Sequence, residues 1–141
     1  KMTNAFEDVV NAYYNKGEDL PNRLSFIEEY HKNIMRALFD KEDAIYKDVA
    51  ILFGELGWFL ARNTSQRYNY VYDQIICFGE LLSTRIVSAY LEKVGQESVW
   101  FDVRNFIKTD SNYRDAKVDW KLTEDIITTK VEEPYVPKVC N

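Results

Sequence analysis

Apolar side chains return every third or fourth position from Leu24 to Ala89, and that rhythm confines the stretch to long amphipathic helices. Leu24, Ile27, Ile34, Met35 and Leu38 share one helical face with His31. Asp40 to Asp43 breaks the pattern, which resumes with Ile45, Val49, Leu52, Leu56, Phe59 and Leu60. A second break at Asn63 to Gln66, where Thr64 or Ser65 can cap the next helix, precedes a third run. That run covers about Tyr68 to Glu92, with Val71, Ile75, Phe78, Leu82, Ile86 and Ala89 inward and Gly95 closing it. Five glycines and three prolines among 141 residues leave few sites for the turns of a many-stranded fold.

An earlier helix is expected from Asn4, a capping residue with Glu7 three positions on, through Phe6, Val9, Val10 and Tyr13 to a stop at Gly17. Pro21 suits the first turn of the next helix. Beyond Gly95 the period changes. Ser98-Val99-Trp100-Phe101 is short, β-rich and ended by Asp102, which reads as one strand. One helical turn is expected over Val103 to Ile107, an extended piece over Ala116 to Val118, and a last helix from Trp120 to Val131 with Leu122, Ile126 and Ile127 inward. Pro134 and Pro137 exclude helix from the tail, whose Lys138-Val139-Cys140 suits the approach to a strand. A single strand has no neighbour for its N–H and C=O groups. With so little chain before Asn4, the expectation is a mostly α chain with a minor β component, cut at both ends from a larger α/β unit.

Composition narrows function by exclusion. The formal charge is −5 and no Lys/Arg cluster occurs, so neither nucleic acid nor an anionic membrane surface is an expected partner. No apolar run is long enough to cross a bilayer and the N-terminus lacks a signal-peptide pattern. Cys77 and Cys140 form no CxxC pair, which points to a reduced, cytoplasmic chain. Glu28-x-x-His31 has the spacing used by di-metal carboxylate bundles, but such a site needs that pair twice, and His31 is the only histidine. One histidine and two remote cysteines are equally poor for zinc, so no metal site is expected and His31 is read as the edge of an apolar face. Neither a P-loop nor GxGxxG nor a GxSxG elbow is present. Gly54 and Gly57, inside a helical pattern, read as places of close helix packing.

Two stretches invite a functional reading. In Phe78-Gly79-Glu80-Leu81-Leu82-Ser83-Thr84, Gly79 interrupts a strong helix at a cost near 1 kcal/mol. Either a packed neighbour or a ligand explains it, and Glu80 puts a carboxylate beside the opening. Thr109 to Asp119 is a polar loop holding Arg114 and the carboxylates of Asp110, Asp115 and Asp119. It is either a ligand loop or a solvated connection.

In order along the chain, Lys1-Met2-Thr3-Asn4, Phe78-Gly79-Glu80-Leu81-Leu82-Ser83, Val99-Trp100-Phe101-Asp102-Val103-Arg104 and the loop from Thr109 to Asp119 resemble the middle of an aspartate kinase catalytic domain. The resemblance spans essentially residues 1–141, although the helices between Glu18 and Gln66 add little to it. It implies the helical portion of an α/β/α amino-acid kinase fold, truncated at both ends, whose parent transfers the γ-phosphate of ATP to the side-chain carboxylate of L-aspartate. Thr3 and Glu80 would line the aspartate pocket, and Asp119 would stand near the substrate's amino group. The family arginine stands four residues before that aspartate in some members. Here Asp115 holds that position and Arg114 precedes it, so Arg114 would act only from a shifted loop. ATP and Mg2+ are implied for the parent and none for this stretch, because the family's glycine-rich Lys-Phe-Gly-Gly segment and nucleotide pocket are not within it. The chain alone is therefore expected to be inactive. Cut surfaces invite a second copy, which makes a homodimer one expectation. The competing expectation is a helical interaction module with no catalytic role.

Overall fold

The computed structural model describes residues 2–132. The expectations for the proline-containing tail, Cys140 among them, lie outside the described residues. The chain divides into two compact units, the first ending at Trp100 and the second starting at Phe101.

Four helices make the first unit: α1 (Met2–Tyr14), α2 (Leu20–Leu38), α3 (Ile45–Arg62) and α4 (Tyr68–Lys93). The expected apolar faces turn inward, and α4 packs against each of the other three helices. Phe6, Val9, Val10, Ile27, Val71, Ile75 and Leu82 are fully buried. Each such side chain contributes roughly 1.5–3 kcal/mol on leaving water. Polar ties join the helices at the rim of this core. Tyr72 donates to Glu7 at 2.7 Å, and Asn63 donates to the Tyr13 hydroxyl at 3.0 Å. Arg85 of α4 pairs with Asp48 of α3 at 2.6 Å, and Lys93 reaches both Asp40 and Asp43 in the turn before α3.

Several local expectations need correction. Asn4 does not cap α1, because the helix already includes Met2 and Thr3. Met2 packs against the core, and that tertiary contact carries the helix past the local capping signal. Gly17 does not supply the left-handed residue at the end of α1 either. Lys16 does, at φ 48°, while the Gly17 N–H closes the turn onto the Ala12 carbonyl at 2.9 Å. Gly54 and Gly57 face open space rather than a close helix neighbour, since a Cβ on either would have no atom within 4 Å. Gly95, by contrast, ends α4 in the left-handed region at φ 85°.

Ser98 to Phe101 is not a strand. Among the described residues no strand lies beside it, and the segment is tied to α4 by side chains: Ser98 donates to the Ser88 carbonyl at 3.1 Å, and Trp100 Nε1 donates to Thr84 Oγ1 at 3.0 Å. The Arg85 guanidinium lies 5.8 Å from the centre of the Trp100 ring.

The second unit opens with a short 3-10 turn, Val103–Asn105, in which the Asp102 carboxylate accepts from the Arg104 N–H at 3.0 Å. An isolated antiparallel bridge joins Thr109 to Val118 and is the β structure found among the described residues. Helix α5 (Trp120–Ile127) comes next and widens into a π turn over Thr128–Glu132. Its buried residue is Thr123, which accepts from the Lys108 N–H at 3.1 Å, whereas Leu122, expected inward, is 46% exposed.

Candidate functional site

Helices α1, α2 and α4 border a cavity of about 460 Å3. Its walls are mainly apolar, with Phe6 from α1, Ile34 and Leu38 from α2, and Ile86 and Val87 from α4. The polar side chains on its lining are Thr3, Tyr30, His31, Glu80, Ser83 and Tyr90. A largely apolar pocket with a few convergent polar groups is the usual form of a small-molecule site.

The spacing of the apolar residues explains how these groups meet. Val71, Ile75, Phe78 and Leu82 anchor α4 in the core, which leaves Ile76, Gly79, Glu80 and Ser83 on the adjoining strip of the same helix. On α1, Phe6, Val9 and Val10 are buried, so Thr3, one turn before Phe6, reaches the cavity from the side. Thr3 and Glu80 are both exposed to solvent at its margin. Two of the residues singled out in the sequence are therefore brought to one cavity.

Gly79 serves packing and access together. A Cβ there would lie 3.3 Å from Phe6 Cδ2 and 3.4 Å from Phe6 Cε2, tighter than most real contacts, so its hydrogen admits the Phe6 ring against α4. The same glycine lines the cavity beside that ring.

His31 is the residue that sequence reasoning undervalued. It is only 3% exposed, so it sits within the apolar face rather than at its edge. Its Nδ1 lies 2.8 Å from the Ile27 carbonyl oxygen. A carbonyl can only accept, so Nδ1 carries the proton and Nε2 holds a lone pair. Burial pulls the imidazole below its ordinary pKa, against the opposing pull of the Ile27 carbonyl, and keeps the ring neutral near pH 7. The Phe53 ring packs edge-on against it at 5.9 Å. Its position between Ile27 and Ile34 in the apolar repeat was the available signal.

Arg114 and Asp119 belong to the second unit. Asp110 organises the loop between Thr109 and Val118 by accepting from the Asn112 and Lys117 N–H groups at 3.0 and 3.3 Å, so the segment is a structured turn, most of it exposed to solvent. Arg114 adopts the left-handed conformation at φ 68° and is exposed. Asp119 is the N-cap of α5, its carboxylate accepting from the Leu122 N–H at 3.0 Å. One oxygen of that carboxylate is thus engaged in holding the helix start.

Among the described residues no three His, Cys, Asp or Glu side chains come together to hold a metal ion, and no helix is long and apolar enough to cross a membrane. Comparison with family models, curated proteins and solved structures finds no match.

Proposed function

We propose that residues 1–141 form the helical, aspartate-binding part of an aspartate kinase catalytic domain. The parent enzyme would move the γ-phosphoryl group of ATP onto a side-chain carboxylate oxygen of L-aspartate, forming 4-phospho-L-aspartate and releasing ADP. The observation that carries this reading is that Thr3 and Glu80, far apart in sequence and both assigned to aspartate by the resemblance, line the same cavity.

The chemistry of these residues suits the substrate. A threonine hydroxyl donates to a carboxylate, and a glutamate side chain accepts from an ammonium group. Thr3 would therefore meet a carboxylate of aspartate, while Glu80 answers its amino group. The roles that the resemblance gives Asp119 and Arg114 are not built into this cavity, since both residues belong to the second unit. No step of phosphoryl transfer is assigned to the described residues, among which no three His, Cys, Asp or Glu side chains come together. Phosphoryl transfer depends on positioning and charge stabilisation around the phosphate. In this reading those parts come from the parent's other segments, and the chain alone does not turn over ATP.

Expression of the complete reading frame, followed by a coupled assay for ADP, tests the proposal. Aspartate-dependent ADP release by that product, lost on Glu80→Gln, with none from residues 1–141 alone, is the expected result. A full-length product that shows no aspartate dependence overturns the kinase reading. Turnover by residues 1–141 alone overturns the claim of inactivity.

A further inference from the structure

Aspartate accounts for only part of the cavity, because its apolar walls and its buried imidazole have no counterpart in so small and polar a ligand. His31 lines this space with Nδ1–H committed to the Ile27 carbonyl at 2.8 Å, and among the described residues no group hydrogen-bonds its Nε2. An acceptor on the wall of an open cavity takes a hydrogen bond from a donor that enters it. Glu80 and Tyr30 line the same space, so its polar groups combine a carboxylate with a neutral acceptor. Ile34, Leu38, Ile86 and Val87 complete it with aliphatic surface.

We propose that this cavity is a binding site for an apolar primary amine, whose ammonium group donates to His31 Nε2 and pairs with Glu80 while its hydrocarbon body lies against the α2 and α4 walls. Carboxylates that bring no ammonium group are disfavoured as occupants, since they offer Nε2 no proton and give Glu80 a like charge with nothing to balance it. A purely hydrocarbon ligand would leave Nε2 unanswered. The assignment does not depend on the kinase reading, because it uses the geometry of α1, α2 and α4 alone.

The single histidine makes the test direct. In a long-range 1H–15N spectrum of the full 141-residue chain, one imidazole is observed, and each tautomer gives its own nitrogen pattern. The expected spectrum has Nδ1 protonated and Nε2 bare. Titration with n-hexylamine should move the Nε2 resonance with a Kd of about 1 mM, as suits a ligand of so few atoms. Hexanoate at the same concentration should leave it in place. Glu80→Gln should weaken hexylamine about tenfold, the loss expected when a charged acceptor becomes neutral. An Nε2-protonated tautomer, no movement with hexylamine, equal movement with hexanoate, or undiminished affinity in Glu80→Gln would each overturn the proposal. The wild-type titration requires no variant to fold. Retained amine binding with no aspartate-dependent activity in the full reading frame would separate the failure of the kinase reading from that of this one.

Discussion

The ring of Phe6 fills the space beside Gly79, its Cδ2 only 3.3 Å from where a Cβ would stand. An alanine there regains helix propensity worth about 1 kcal/mol but pushes the ring by a few tenths of an ångström. Because Phe6 borders the cavity, it has room to yield in that direction. Gly79→Ala should therefore change stability by less than about 1 kcal/mol while weakening occupancy of the cavity. Urea melts and the hexylamine titration, run on the same variant, check both halves.

Gly54 and Gly57 give the opposite case within one fold. Neither has an atom near the position of an added methyl group, so the substitution costs no packing. Gly54→Ala and Gly57→Ala should each stabilise the chain by about 0.5–1 kcal/mol, read as a rise in urea midpoint with unchanged slope. A loss of stability in either would mean that a close neighbour exists at that face.

Lys16 closes α1 in a conformation that costs an L-residue about 1–2 kcal/mol. Lys16→Gly removes that cost and returns part of it as lost backbone entropy. A net gain of up to about 1 kcal/mol in chemical denaturation is expected, and Lys16→Ala should give none of it.

Burial lowers the pKa of His31, which ties its protonation to stability with a definite sign. Above the unfolded value of about 6.5 the ring is neutral in both states and adds no pH dependence. As pH falls through that value the unfolded chain takes the proton first, and stability declines until the lower folded value is passed. The difference in urea midpoint between wild type and His31→Gln should therefore shrink or reverse as pH drops from about 7 to about 5. A constant difference would show that the folded imidazole titrates normally.

Asp119 separates two roles by one substitution. Asparagine caps a helix about as well as aspartate, whereas alanine costs about 1 kcal/mol. Asp119→Asn should leave the melting of the chain unchanged, and Asp119→Ala should lower it. If the full reading frame has aspartate kinase activity, a rise in KM for aspartate in Asp119→Asn would report the charge of this residue separately from its cap.

The four long helices were legible because their apolar repeats run for many turns, and errors gathered where a tertiary contact outweighed a local signal. Asn4 and Glu7 have the right spacing for a cap, yet the packing of half-buried Met2 against the core extends α1 past them. Val99 and Trp100 have strand-forming side chains, but the indole donates to Thr84 and nothing among the described residues pairs with the backbone as a ladder. At the candidate site, Glu80 was visible through its neighbouring glycine, while His31 looked like an ordinary member of an apolar face. Only the geometry to the Ile27 carbonyl shows which ring nitrogen is left to accept. The capping role of Asp119 was concealed by its appeal as a charged loop residue.

Trp100 is docked on α4, whereas Trp58 and Trp120 stand 66% and 68% exposed. Intrinsic fluorescence of the native chain will thus be dominated by two indoles already in water, and their emission colour will shift little when the helices melt. The sheltered indole reports something narrower, the peeling of residues 96–100 away from α4. An optical unfolding curve read from tryptophan emission would record this local detachment, and circular dichroism at about 222 nm would be needed to see the core give way.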